Sequence, residues 1–197
     1  MQKRGIETRD AILKAGEYLF STKGFYKTNS KMIAKQARIA IGSFYTYFND
    51  KKEVLMEILK KHNEQIFQNM RGFHESRVPN LSDPLTYFRE IINNVIDSHQ
   101  VMPGFHEQVV FLTHTDPDVK EIMNTFTERQ IKMTEKVMEA MSGKLNIHDI
   151  KLMAELITTL IEETVHYIIF SKKNENKQKL VDELAIMLSR YLLKNEN

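Results

Sequence analysis

The stretch ARIAIGSFYTYFNDKKEVL, Ala37 to Leu55, sets Phe44, Tyr45, Tyr47 and Phe48 within five residues, behind Gly42 and Ser43 and ahead of Lys51 and Lys52. A wholly buried helix would not take two tyrosine hydroxyls on adjoining turns, and a wholly solvated one would not take two phenylalanines. The segment must face two environments, one apolar and one polar and cationic.

Working outward, every long patterned segment repeats at helical spacing, and strand-like alternation is missing. The expectation is an all-α chain of about nine helices. The first is predicted to open at Thr8 as N-cap and to close at Gly24, a left-handed C′ residue, with Ile12, Ala15, Gly16, Leu19 and Phe20 as its inner stripe. Thr28 is expected to cap a short second helix reaching Ala37. Arg38, Ile39 and Ala40 then turn the chain into a third ending near Phe48, and Asn49 or Asp50 caps a long fourth. Further on, Asp83-Pro84 and Asp116-Pro117 place a capping residue before a proline at the first helical position. The run from Met102 to Gly104 is a break. Asn146 is the expected cap of the penultimate helix, with Leu145 stapled to Ile150, and KKNENKQK, residues 172–179, reads as a loop before the last helix.

Charge divides the chain. Met1–Lys52 carries eleven Lys or Arg against four Asp or Glu, a net +7, while the remainder is net −5, which gives the chain its +2. A basic head on an acidic body is the electrostatic footprint of a polyanion-binding module joined to a part with another task. The chain has no cysteine, which excludes disulfides, thiol nucleophiles and thiolate zinc sites. Charges occupy the N-terminal residues where a secretory signal needs an apolar run, and no segment reaches the ~18 apolar residues of a membrane span. A cytoplasmic protein with no membrane partner is expected. No nucleophile-base set, phosphate-binding glycine loop or paired-carboxylate motif is present, so neither an enzyme nor a cofactor is expected. No two of the seven histidines stand at the i, i+4 spacing of a helical metal site, so no metal is expected either.

Two short helices joined by a three-residue turn inside a basic three-helix unit describe a helix-turn-helix. In detail the first quarter of the chain resembles the DNA-binding domain of TetR/AcrR-family transcriptional regulators. Thr8-Arg9, Ala15, Phe20, Gly24-Phe25, Thr28, Ile33-Ala34, Ala37, Gly42, Tyr45, Tyr47-Phe48 and Lys51 carry the likeness. Two positions depart from the family pattern. Arg38 stands where glycine is common in the turn, costing roughly 1 kcal/mol if the backbone there is left-handed. Ile41 stands where a lysine is common.

The resemblance implies a DNA-binding domain over residues 1–52 and a ligand-binding and dimerisation domain over 53–197. Phe44, Phe48 and Ile39 would then face inward. Tyr45 and Tyr47 would point hydroxyls at phosphates, Gly42 would let the helix approach the duplex closely, and Thr28, Asn29 and Lys51 would add phosphate contacts. Between Ile39 and Phe48 there is no Arg, Lys, Asn or Gln to read guanine or adenine bidentately. Ser43 and Thr46 offer hydroxyls, and Ala40 and Ile41 offer contact to thymine methyls, so A·T-leaning operators are expected. Lys3 and Arg4 either enter a minor groove as an arm or form an unordered terminus.

For the body, the resemblance implies that the last two helices pair with their mates in a homodimer. Met153, Leu156, Leu160, Thr164, Ile168, Leu184, Leu188 and Tyr191 are the candidate interface, on a face of the penultimate helix wider than one neighbour covers. Met102, Phe105, Phe111, Phe126, Met133 and Met138 are candidates to line an adaptable pocket for a small apolar or amphipathic effector. Glu162 and His166, one turn apart, either orient the polar end of that ligand or satisfy each other at the dimer seam. The functional expectation is a ligand-responsive regulator that binds double-stranded operator DNA, most simply a repressor. An activator of the same fold and a helical adaptor without DNA binding are the alternatives.

Overall fold

Capping residues fix most of the helix starts in the computed structural model, which describes residues 3–76, 83–100, 103–171 and 176–194. Nine α-helices are present among them: α1 Lys3–Lys23, α2 Ser30–Gln36, α3 Ile41–Tyr47, α4 Lys51–Ser76, α5 Pro84–Gln100, α6 Pro103–Thr115, α7 Pro117–Ala140, α8 Ile150–Phe170 and α9 Lys177–Leu192. The side chain of Asp83 accepts from Thr86 N at 3.1 Å and that of Asp116 from Asp118 N at 3.0 Å, each ahead of its proline. Asp50 accepts from Glu53 N at 2.9 Å, while Glu53 accepts from Asn49 N at 2.7 Å, so both candidate residues take part in starting α4. All-α architecture, as read from the sequence, is what the chain adopts.

Several boundaries differ from expectation. Helix α1 opens at Lys3 rather than Thr8, because nothing in the preceding turn stops a helix from extending past a good cap residue. Asn29, not Thr28, caps α2, accepting from Met32 N at 3.0 Å. The Thr28 hydroxyl is turned inward instead and donates to Gly24 O at 2.9 Å. Asp149, not Asn146, caps α8, accepting from Leu152 N at 2.9 Å. Asn146 N is engaged with Leu192 O at 2.8 Å, and Leu145, the intended staple, forms an isolated antiparallel bridge with Leu193. Helix α9 begins at Lys177, inside the expected loop.

The chain divides into two compact units, Met1–Gln65 with Met102–Asn124, and Ile66–Val101 with Thr125–Asn197. Helices α4 and α7 each contribute residues to both. The first unit is built on a core of Ile12, Phe20, Ile33, Phe44, Val54 and Leu55, all at most 1% exposed. Beyond the helix-turn-helix expected at residues 1–52, it takes in Phe105, Val109 and Leu112 of α6 and Val119 of α7. Gly16 lets α1 and α4 approach, since a Cβ there would stand 2.7 Å from Val54 Cγ1. Arg9 pairs with Glu57, and His62 with Glu17, across the same two helices. Lys52 bridges Asp116 at 2.9 Å and Asp118 at 2.6 Å, joining the starts of α4 and α7.

The second unit packs α5, α8 and α9 around Ile92, Ile96, Ala154, Val165, Val181 and Ala185. Arg89 on α5 donates to Asp182 on α9 at 2.7 Å. The backbone bond from Lys194 N to Lys144 O, at 3.0 Å, closes the end of α9 onto the segment before α8.

Gly24, at φ +83°, ends α1 in the left-handed conformation the sequence implied. Arg38, between α2 and α3, is also left-handed, at φ +57°. Glycine at this position would remove the Cβ clash, so Arg38→Gly should stabilise the chain by about 1 kcal/mol in denaturant melts. A loss of stability would show that the arginine side chain more than offsets its backbone strain.

Candidate nucleic-acid interface and internal cavity

Helix α3 has only seven residues, too few to hold a helix in water without tertiary support. Its back supplies that support. Phe44 and Phe48 are 0% and 2% exposed, their rings 6.1 Å apart. The front carries Ala40, Ile41, Gly42, Tyr45 and Thr46, all exposed, with Ser43 and Tyr47 half-buried at the sides. A Cβ on Gly42 would meet nothing within 4 Å, so nothing in the fold itself requires a glycine there. Thr46 uses its hydroxyl proton on Gly42 O at 3.2 Å, leaving the oxygen to accept. The same unit exposes the bases Lys23, Lys27, Lys31, Lys35 and Arg38.

Two candidate phosphate contacts are engaged inside the unit. Thr28 is 1% exposed. Lys51 donates from Nζ to Phe25 O at 2.7 Å and to Thr28 O at 2.8 Å, and sits 4.3 Å from the centre of the Phe25 ring. It staples the start of α4 to the turn between α1 and α2; burial lowers its pKa, with Asp50 opposing that shift. Asn29 is exposed and spends its side chain on capping α2. The backbones of Lys3 and Arg4 form the first turn of α1 instead of an extended arm, and their side chains lie outside the described residues. Arg38 is the base the sequence reading treated only as a strained turn residue. It stands at the α2–α3 turn, beside Lys23 and Lys35 on an open cleft, three residues before α3.

The second unit contains a partly open cavity of about 80 Å³. Phe88, Ile91 and Val95 from α5, Val137 from α7, and Ile157 and Ile161 from α8 give it an apolar wall. Met70, Met138 and Met141 add side chains that re-pack at little cost. Polar groups gather in one part of the lining: Gln130 and Thr134 one turn apart on α7, and Thr158 and Glu162 one turn apart on α8. The Thr134 and Thr158 hydroxyls are 3.2 Å apart, and Gln130 Nε2 donates to Glu162 Oε1 at 2.8 Å. Tyr87 and His74 complete the wall. Burial pushes the Tyr87 phenol up to about 12 and holds His74 below the ordinary imidazole value, so both are neutral near pH 7.

Of the residues expected to line a pocket, Met138 and Glu162 do so. Phe126 is buried and Met133 half-buried, but neither reaches the cavity. Phe105 belongs to the core of the other unit, 5.5 Å from the His62 ring. Phe111 is 53% exposed and meets Tyr26 edge-on. Met102 lies outside the described residues. For Phe105 and Phe111 the cause is that α6 packs with the first unit, which periodicity within α6 does not reveal. Four lining residues of α5 were missed, although the apolar stripe of that helix marked it as an inner wall.

Glu162 and His166 do approach each other, Nε2 to Oε2 at 4.0 Å, but only as a long contact. The nearer partner of Glu162 is His99 of α5, whose Nε2 is 3.0 Å from Glu162 Oε2. His99 Nδ1 lies 2.8 Å from Val95 O and 3.2 Å from Ser98 Oγ, so with acceptors facing both ring nitrogens the surroundings favour the imidazolium form. Burial opposes that charge, but the hydrogen bond and charge of Glu162, helped by Val95, outweigh it and raise the His99 pKa. Burial likewise opposes the charge on Glu162, and His99 and then Gln130 overcome it, holding the carboxyl below its usual range.

On the outer face of α8, Leu152, Leu156 and Tyr167 are more than half exposed and Leu160 is 38% exposed, as are Met187 at 48% and Tyr191 at 62% on α9. Met153 and Thr164 are half-buried. Ile168, Leu184 and Leu188, expected at a dimer seam, are buried within the chain's own core instead, because α8 and α9 turn those stripes toward α5.

The model of the bacterial regulatory proteins of the tetR family matches residues 12–58, and that of the tetracyclin repressor-like C-terminal domain matches residues 86–192, more than half of the chain. The chain belongs to the TetR family. As a TetR-family protein it is a DNA-binding transcriptional regulator and not an enzyme. It is 25% identical to the HTH-type transcriptional regulator AcrR of Shigella flexneri over 95% of this chain and 90% of that one. It is 33% identical to the HTH-type transcriptional regulator HbdR of an Aromatoleum strain, over 41% of this chain and only 32% of that protein. A solved Saccharomonospora viridis structure, described as a transcriptional regulator in complex with choline, covers 96% of this chain and all of that one, with a TM-score of 0.79 at 14% identity. No helix among the described residues is long and apolar enough to cross a membrane.

Because folded His99 binds its proton more tightly than a free imidazole, its contribution to stability is complete below about pH 6.5 and is lost as pH rises through the folded value. Glu162 stays ionised throughout that window. The melting-temperature gap between wild type and His99→Gln should therefore be widest below about pH 6.5 and narrow at higher pH. A gap that widens with pH would place the charge elsewhere.

Proposed function

We propose that this chain is a ligand-responsive transcriptional repressor that binds operator DNA as a homodimer and is released by a small, largely apolar effector. The observation that carries the reading is the two-sidedness of α3: phenylalanines anchor its back, and its front exposes residues the fold does not need there. A short helix so anchored fits a major groove. Tyr45 and Tyr47 would contact phosphates and Gly42 would allow close approach. Ala40, Ile41, Ser43 and Thr46 would read an A·T-leaning site, with Arg38 and the surrounding lysines supplying non-specific attraction.

The exposed row Leu152, Leu156, Leu160 and Tyr167, continued by Met187 and Tyr191, supports a twofold interface, since an apolar patch of this extent is rarely left to water. The cavity supports an effector site. At about 80 Å³ it is well below the several hundred Å³ typical of drug-sized ligands, so an effector must select a more open form. Repression would be relieved by that differential affinity and by no more than it. Helix α4 is the proposed lever: it carries the Lys51 staple at one end and the cavity residues Met70 and His74 near the other.

Two variants separate these parts. Gly42→Ala adds a methyl to open space, so its melting temperature should hold or rise slightly while operator affinity falls by about tenfold or more, ~1.4 kcal/mol; unchanged affinity in a gel-shift titration would remove α3 from the groove. Leu156→Glu should sediment as a monomer and lose operator affinity. A dimer that persists would place the interface elsewhere.

A further inference from the structure

The lining of the cavity constrains the charge of what enters it. Glu162 is the one carboxylate among the described lining residues, and no lysine or arginine lines the wall with it. Its hydrogen bonds from Gln130 at 2.8 Å and from His99 at 3.0 Å, with His166 farther off at 4.0 Å, use about half of the acceptor positions a carboxylate offers. His99 is not itself a lining residue, so the cavity meets the anion while the countercharge stands behind it.

Every element packed around this site in its unit can be checked for a competing charge. Helix α4 presents His74, held neutral by burial. Helix α5 presents Tyr87, also neutral, and His99. From α7 come Gln130 and Thr134, while Arg129 is stacked 4.0 Å over the Phe67 ring. On α8, burial lowers the His166 pKa, and Glu163 points outward with its side chain 75% exposed. Leu192 is the contribution of α9. The charged pair at the wall is thus Glu162 and His99; beside them the His166 ring, its pKa lowered chiefly by burial, stands 5.4 Å from that of His99, and His106 also offers a ring nitrogen within 4.8 Å.

An anionic ligand would bring a second negative charge against Glu162 in a low-dielectric pocket, which is strongly unfavourable. A cation added to an already neutral pair would also be costly. The cost vanishes if the compensating charge departs. An imidazolium can give up its proton near neutral pH, whereas a lysine or arginine in its place could not. We propose that the cavity takes a small monocation with an apolar body, an alkylammonium in its simplest form, which pairs with Glu162 as His99 releases one proton to solvent. Only the N–H bond of His99 breaks, and the net charge of the site is conserved. The apolar wall covers the body of the ligand, and the three methionines supply the extra room a chain requires.

The inference rests on the cavity being the effector site of the proposed repressor, and a matched probe set tests it. Hexylamine, hexan-1-ol and hexanoate share one alkyl body and differ in charge. By isothermal titration to the full-length protein, hexylamine should bind about tenfold or more tighter than hexan-1-ol, with hexanoate weakest. Its heat should vary between buffers of different ionisation enthalpy by the amount that one released proton requires. His99→Gln should bind hexylamine more tightly and show no buffer dependence. Glu162→Gln should lose the preference for the amine. Equal or tighter binding of the alcohol or the acid, amine binding without proton release, or no binding of any of the three would overturn the proposal, and the wild-type measurements alone suffice if a variant fails to fold. Operator binding in the same samples reports separately. Amine binding with proton release that leaves DNA affinity unchanged would sink the release mechanism while the ligand class stands.

Discussion

Seven residues cannot hold a helix in water by hydrogen bonds alone, because the first turn fixes several dihedrals for each bond gained. Helix α3 therefore exists through Phe44 and Phe48, which it buries against the rest of its unit. The Lys51 ammonium adds to this, drawing the start of α4 onto the carbonyls of Phe25 and Thr28. Residues that resemble a DNA-contacting set in sequence thus divide in the structure. Thr28 and Lys51 are bonded to carbonyls within the unit, while Ala40, Ile41, Gly42, Tyr45 and Thr46 are left on the outer face of α3. The division follows from hydrogen bonding, since the Lys51 ammonium spends two of its three donors on carbonyls of its own unit.

The second unit uses polar groups sparingly and in one place. An apolar cavity wall with a single ionised carboxylate is unstable unless that charge is paired, and His99 pairs it with acceptors facing both of its ring nitrogens. Gln130 fixes the other carboxylate oxygen. On the reading proposed above, the arrangement would set the charge that a guest can bring, while the methionines would leave its shape open.

Much of the fold was legible locally. The left-handed Gly24, the Asp-Pro starts of α5 and α7, and the inward faces of α1 and α3 follow from capping chemistry and from 3.6-residue periodicity, both of which depend only on near neighbours. The errors were also local in origin. Thr28 and Asn29 are adjacent residues, each able to cap, and the choice went to Asn29 because Thr28 is drawn into the core. Glu162 was notable in the sequence as an acid in an apolar helix, but its nearer partner, His99, lies on a different helix, and the histidine one turn away is the more distant contact. Phe105 and Phe111 looked like pocket residues until α6 proved to pack with the first unit.

By itself, the sequence determined the helical class, the basic helix-turn-helix and the family to which it leads, because those depend on residue types at fixed short spacings. Tertiary structure alone decided which polar side chains are spent inside, where the cavity lies and that Glu162 answers to His99. Those facts depend on which helix faces come together, and the pairing of faces is a property of the whole packed unit that no single stripe encodes.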